Sequence, residues 1–318
     1  MSNSQTENKA ASESLSDTTK SSIKALVQEL LGKCKTPFKN LLFDGELYND
    51  CKEVLSSKFH LPLSLYPYLE KYLSVGVEFT FTCYSHLPKH NQMFVVIYGV
   101  LTVVLDDVFC ENNKQMEGFN ERFARGLPQG DPILDALAQL LLDASEYYNR
   151  VQSNLIVTST LDFVTSLIMD LEFRKIASFK APGFATYWRL NMSSACVAYA
   201  MVIFSKDIDV ALYMQCLPHL VVYMLGVNDV LSLYKEEVAG EEDNFPTMLV
   251  KESGVTKYEA IQHIVNDVAE ADQHILKGLA DNQPALDSWQ SFKRGYVPFH
   301  FSCPRYKLDE LFEGRVIN

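Results

Sequence analysis

The run MFVVIYGVLTVVL (93–105) constrains the fold more than any other stretch, because it is apolar on every face of a helix and then runs into DDVFCENN. A helix that is apolar all round either sits at the centre of a core or walls an apolar cavity. The carboxylates that follow it, Asp106, Asp107 and Glu111, are costly to bury unless a metal or a partner charge compensates them. The pattern occurs a second time: CLPHLVVYMLGV (216–227) leads directly into NDVLSLYKEE (228–237).

Helical spacing extends along almost the whole chain. Ile23, Leu26, Val27, Leu30 and Leu31 recur at the helical period, and further helices are expected over about 64–83, 92–110, 130–172, 183–203, 207–237, 254–280 and 284–302. LPKHN, GLPQGDP, KAPG, AGEEDNFP and ADNQP carry turn chemistry between them. No Val/Ile/Thr alternation, glycine-rich phosphate loop, internal repeat or Pro/Gly linker is visible. The reading is one all-α domain over residues 21–318, of about ten helices, behind a Ser/Thr/Asn/Lys-rich segment, 1–20, expected to be disordered.

Composition narrows the partners. With 28 basic against 40 acidic residues the net charge is −12, which disfavours nucleic acid or an anionic membrane as the main partner. An anionic small substrate would then need metal ions or a few placed cations. Seven cysteines without a CxxC pair suggest neither a zinc site nor a disulfide framework. The N-terminus lacks an apolar signal core. The apolar runs look shorter than the roughly 20 residues of a membrane span, with Pro218 and His219 breaking the best of them. A soluble, cytoplasmic protein is expected.

In the first cluster, Asp107 and Glu111 are four residues apart and share a helical face, with Asp106 about 100° round. In the second, Asn228, Ser232 and Glu236 fall at i, i+4 and i+8 on one stripe. An amide oxygen, a hydroxyl and a carboxylate make an all-oxygen donor set. Mg²⁺ is commonly held by few carboxylates plus substrate phosphates, and Lys235 could reach the same anion.

These two motifs, Asp-Asp-x-x-x-Glu and Asn-Asp-x-x-Ser-x-x-Lys-Glu some 120 residues later, resemble those of class I terpene synthases, and the match is closer to the fungal trichodiene synthase family. FATYWRLNM (184–192) resembles the segment with that family's diphosphate-sensing arginine, here Arg189. NLIVTSTLDF (154–163) resembles the preceding helix, and GYVPFHFSCPRYKL (295–308) the C-terminal segment ending in an Arg-Tyr pair, here Arg305 and Tyr306. The chain departs from the family's Asp-Asp-x-x-Asp, since Cys110 takes the last aspartate's place and Glu111 follows it.

The resemblance implies the class I terpenoid synthase fold, a helical bundle around a central apolar cavity. It also implies Mg²⁺, three ions in the family pattern, held by Asp106, Asp107, Glu111, Asn228, Ser232 and Glu236. Arg189, Lys235, Arg305 and Tyr306 would donate to a diphosphate. The implied activity is ionisation of a linear prenyl diphosphate, farnesyl diphosphate on the family's precedent, and cyclisation of the cation to a sesquiterpene hydrocarbon or alcohol. Aromatic candidates for facing the cation are Phe79, Tyr98, Phe163, Tyr187, Tyr223 and Phe299. The partners are that substrate and its diphosphate product, with no nucleic acid and no membrane span, and with homodimerisation open. Rival readings are quenching of the cation by another nucleophile such as an amine, and a non-catalytic helical scaffold. A chain-elongating prenyl synthase would need a second Asp-rich motif in place of Asn-Asp…Ser…Lys-Glu.

Overall fold

A computed structural model of the chain describes residues 15–35, 43–109, 114–193, 195–242 and 244–312. Among these residues the regular structure is helical, with no strand. The first half holds α1 (Asp17–Cys34), α2 (Gly45–Ser57), α3 (Tyr66–Cys83), α4 (Lys89–Val104), the short α5 (Lys114–Glu117) and α6 (Phe119–Ala124), α7 (Pro132–Tyr147) and α8 (Arg150–Arg174). The second half holds α9 (Phe184–Asn191), α10 (Cys196–Met201), α11 (Leu217–Ala239), α12 (Phe245–Ser253), α13 (Lys257–Gly278), α14 (Gln283–Ser302) and α15 (Leu308–Phe312).

The boundaries have local causes, several of which differ from expectation. Helix α1 begins inside the segment read as a tail: Ser16 accepts from the Thr19 N–H and caps a first turn that opens with Asp17. Residues 1–14 lie outside the described residues. The expected long helix over 130–172 is two helices, because Asn149 and Gln152 form a reciprocal capping box that starts α8 afresh. Helix α12, unexpected, is bounded by the Asn244 cap and by Gly254 at φ 71°. Pro218 does not break the apolar run. It sits in the first turn of α11, where a missing N–H costs nothing. The resulting helical stretch Met214–Ala239, of mean hydropathy 1.4, is long and apolar enough to cross a membrane by length and composition. However, 72% of its apolar window is buried inside the protein, as in a core helix.

Two close approaches set the walls of the interior. A β-carbon on Gly226 would stand 2.4 Å from Val268, so α11 and α13 pack with almost no gap. On Gly295 it would stand 2.0 Å from the Thr82 carbonyl oxygen, so α14 meets the backbone of α3 directly. Only glycine fits either place. One large core runs through α1–α4, α7, α8, α10, α11, α13 and α14. A separate small core joins α9 to α12 through Phe179, Ala185, Trp188 and Met248, with Phe173 and Phe184 packed on it.

Candidate active site

A cavity of about 550 Å³ lies between α3, α4, α8, α10, α11 and α14, within the range of ligand-sized pockets, about 300–1,000 Å³. Its wall on α4 follows one stripe: Gly99, Thr102, Val103, Asp106, Asp107. The α4 helix tightens no further at its end but widens into a five-residue π-helical turn, Leu105–Phe109, which carries both aspartates. Such turns often occur at functional sites. Glu111 lies outside the described residues.

The opposite wall is α11. Asn228, Asp229, Lys235 and Glu236 line the cavity there. Ser232 is buried one turn from each flanking ligand candidate, and its hydroxyl oxygen has no hydrogen-bond partner among the described residues. The Asn228 amide nitrogen donates to His300 Nε2 (3.3 Å) and to the Tyr306 hydroxyl (3.4 Å), leaving its carbonyl oxygen for an electropositive partner. Glu236 accepts from the Asn244 amide at 3.0 Å, and Lys235 Nζ stands 3.7 Å from its other oxygen. Asparagine, serine and glutamate thus form an all-oxygen set, half-buried at Asn228 and buried at Ser232 and Glu236, with a member unsatisfied among the described residues, which fits a hard divalent cation such as Mg²⁺. Among the described residues no three His, Cys, Asp or Glu side chains converge as a metal group. A cation here would therefore draw further oxygens from an anionic ligand.

Each motif is tied down by an arginine. Arg305, in the 3₁₀ turn Pro304–Tyr306, makes a two-pronged contact with Asp107 at 2.8 and 2.7 Å. Burial opposes the charge on Asp107, yet Arg305 outweighs it and holds the carboxyl below its usual range. Asp106 opens onto the cavity without such a contact among the described residues. Enclosure by protein, with Asp107 alongside, raises its pKa. Arg189 bonds Asp229: Nη2 to Oδ1 in close contact, and Nε to Oδ2 at 3.4 Å. Burial pushes the Asp229 carboxyl up to about 6 while Arg189 pulls it back. His300, 1% exposed, is pushed down to about 4 by burial, so its imidazole is neutral.

Arg189 stands on α9, whose eight residues are anchored at their start by Glu252 of α12. That carboxylate accepts the backbone N–H groups of Gly183, in close contact, and Ala185, at 2.7 Å. Trp188, next to Arg189, packs edge-on to Phe173 at 4.7 Å and donates its indole N–H to Asp170 at 3.2 Å.

The structure brings Asp106, Asp107, Asn228, Glu236, Arg189, Lys235, Arg305 and Tyr306 to one cavity, with Ser232 directly behind its wall. Of the six aromatic candidates, Phe79, Phe163 and Phe299 line it. The other three do not. Tyr187 is 57% exposed on the outer face of α9. Tyr98 is buried behind the wall, its hydroxyl on Thr160 at 2.8 Å. Tyr223 faces Trp289, ring centroids 5.0 Å apart. Both α4 and α11 are apolar on all faces, so periodicity could not choose the inward one. Unanticipated lining residues include Asp229, Lys71, Tyr72, Tyr199, Tyr296 and His300. Asp229 had a signal, lying inside the second motif, as did Tyr296 and His300, which lie inside the C-terminal segment GYVPFHFSCPRYKL.

Known proteins with this architecture define the class. A linalool/nerolidol synthase from Streptomyces clavuligerus, solved in complex with 2-fluorogeranyl diphosphate, superposes with a TM-score of 0.63 over 85% of this chain and 98% of that one, at 16% identity. The fold is that of class I terpene synthases.

Sequence then gives the particular branch. The trichodiene synthase family model matches residues 68–316. Alpha-cuprenene synthase of Coprinopsis cinerea is 30% identical over 297 residues, 91% of this chain and 90% of that protein. A trichodiene synthase of Stachybotrys chartarum is 24% identical over 255 residues, covering 77% and 65%. The chain belongs to the trichodiene synthase family.

Proposed function

We propose that the protein is a Mg²⁺-dependent terpene cyclase that ionises a linear prenyl diphosphate, most simply farnesyl diphosphate, and cyclises the resulting cation to a C15 hydrocarbon or alcohol. The observation that carries this reading is the polarity of the cavity described above. Its mouth gathers two acidic motifs and the cations Arg189, Lys235 and Arg305, and its interior is walled by Phe79, Phe163, Tyr199, Met224, Leu225 and Phe299.

The residues divide the work by depth. At the mouth, Asp106, Asp107, Asn228, Ser232 and Glu236 would hold Mg²⁺, three ions on the family's precedent. Bound there, the ions supply electrophilic neutralisation of the departing diphosphate. Arg189, Lys235, Arg305 and the Tyr306 hydroxyl donate to its oxygens, and donors fixed in advance cost little reorganisation as charge develops. Arg189 and Arg305 already hold carboxylates, so an arriving diphosphate exchanges one anionic partner for another without leaving either guanidinium bare. Deeper in, the chain is folded against aromatic faces that attract a cation by about 0.5–2 kcal/mol each. Phe79 lies 4.9 Å from Phe299 and 5.9 Å from Tyr199, centroid to centroid, so one face of the cavity is continuously aromatic. That wall also excludes water until the last cation forms.

The test is incubation with C10, C15 and C20 prenyl diphosphates plus Mg²⁺, with diphosphate release assayed and the organic extract examined by mass spectrometry. A cyclic C15 product from farnesyl diphosphate is expected. Absence of diphosphate release from all three substrates overturns the reading.

A further inference from the structure

The floor of the cavity carries a polar device that the mouth chemistry does not use. Gly99, Thr102 and Tyr199 all line the cavity. Gly99 lies seven residues before Asp106 on α4 and its π-turn, roughly 10 Å below the mouth at about 1.5 Å per residue. The Tyr199 hydroxyl and the Thr102 hydroxyl are 2.9 Å apart. Thr102 has one hydroxyl proton, and its oxygen stands 2.8 Å from the Tyr98 carbonyl oxygen, which can only accept. The Thr102 proton therefore belongs to that carbonyl, and Tyr199 must be the donor to Thr102. The phenol proton is thus turned into the wall. The lone pairs of its oxygen are left without a donor among the described residues.

What lies beside that oxygen is Gly99. A β-carbon there would meet a single side-chain atom within 4 Å, the Tyr199 oxygen at 3.6 Å. Glycine inside a helix is less favourable than alanine, and no clash at this position calls for it. Its effect is to leave the phenol oxygen uncovered. The Tyr199 ring is fixed by edge contacts with Tyr98 at 5.2 Å and Phe79 at 5.9 Å, and the Tyr84 hydroxyl donates to its backbone carbonyl at 3.1 Å. Burial raises its pKa to about 12, so the proton that sets this orientation stays in place.

Resting on the terpene cyclase reading, we propose that Tyr199 is a further catalytic residue: its phenol oxygen presents only lone pairs to the reacting chain at the cavity floor and draws positive charge there. No bond to oxygen forms or breaks. The dipole favours cations whose charge lies at the deep end of the chain, and so selects among cyclisation outcomes. Thr102 is a positioning residue that keeps the proton turned away, and Gly99 keeps the oxygen bare.

The experiment compares product ratios from farnesyl diphosphate and Mg²⁺ for wild type, Tyr199→Phe, Thr102→Val and Gly99→Ala, with melting temperatures alongside. Tyr199→Phe keeps the ring and loses the oxygen. Gly99→Ala keeps the phenol and covers it, with ordinary contact distances, so it tests the idea even if Tyr199→Phe folds poorly. Both are expected to change the major product while lowering total turnover by no more than about tenfold, less than removing a donor to a full charge. Thr102→Val frees the phenol proton to face the cavity and is expected to shift the ratio again. A merely structural hydrogen bond would lower the melting temperature and leave the ratio alone. Wild-type ratios in both Tyr199→Phe and Gly99→Ala overturn the role of Tyr199 while the cyclase reading stands. A wild-type protein that releases no diphosphate overturns both.

Discussion

The two walls of the cavity mouth solve the same problem, keeping carboxylates in a mostly apolar interior, in opposite ways. On α4 the helix gives way to a π-turn, and Asp107 is satisfied by Arg305 across a contact whose side chains are 24% and 36% exposed. On α11 the helix runs unbroken for 23 residues, and Asp229 is satisfied by Arg189 with side chains only 6% and 17% exposed. The first wall is open and charged. The second is more buried, carries charges of both signs, and holds a hydroxyl at Ser232 that is unsatisfied among the described residues. By this contrast the α11 motif is the built site and the α4 motif the adjustable edge.

That contrast breaks most sharply by truncation. Asn228→Ala and Glu236→Ala are each expected to lower turnover by at least about 10²–10³-fold, the range for losing one fixed charge-stabilising group, with helicity by circular dichroism unchanged. Unaltered product formation in either variant removes the α11 site.

Next in size is the arginine that serves that wall. Lysine lacks the planar fork that meets Asp229 through two nitrogens, so Arg189→Lys should lose about 10–100-fold in turnover and release more linear, early-quenched product. Arg125, 67% exposed and paired with Glu121 one turn away, is the control: Arg125→Lys should match wild type. Equal rates and equal products for Arg189→Lys and wild type would leave Arg189 a structural residue.

Stability should separate the two walls as well. Breaking a buried ion pair strands a charge, so Asp229→Asn is expected to cost about 3 kcal/mol in urea denaturation, the low end for such pairs because Arg189 keeps an opening to the cavity. Asp107→Asn, at the more exposed pair, should cost no more than about 1 kcal/mol. Equal losses would erase the distinction between built site and adjustable edge.

How much of this was legible in the sequence depends on what each residue reports. The α11 stripe was readable because Asn228, Ser232 and Glu236 obey helical spacing on a helix that proved continuous. Asp229 was missed, although it adjoins the stripe: one residue is about 100° of rotation, which turns it towards Arg189, 40 positions earlier. The choice among aromatics failed for a related reason. Where a helix is apolar all round, as α4 is, the sequence does not say which face meets the cavity, and Gly99 and Thr102 took the places assigned to Tyr98. Tyr187 failed because α9 is short and packs through Trp188, leaving the neighbouring ring outside. The capping box at Asn149 and Gln152 was present as a signal and marks the break that the apolar pattern of 130–172 hides.

The smallest expected effect lies away from both walls and calibrates them. His86 donates through Nε2 to the Ile203 carbonyl at 2.8 Å, and its buried Nδ1 has no partner among the described residues. Burial, together with Arg294, lowers its pKa below the ordinary 6.5. Because the folded value is the lower one, the stability held by neutral His86 is complete above pH 6.5 and declines as pH falls below it. The melting temperature should drop as pH falls below about 6.5, and His86→Gln, which keeps a donor to Ile203, should drop less. A parallel pH profile for the two proteins would show that His86 is not the group responsible.

The two walls become one site only when an anion and divalent cations arrive together, and thermal unfolding in the presence of inorganic diphosphate and Mg²⁺ reads that assembly out. At a hundredfold excess over Kd a ligand bound to the folded state alone adds about 2.7 kcal/mol, or roughly 5 °C for a chain of this size. That shift is expected with both ligands, little or none with either alone at a net charge of −12, and none in Asn228→Ala. A full shift with diphosphate in EDTA, or an undiminished shift in Asn228→Ala, would contradict that assembly.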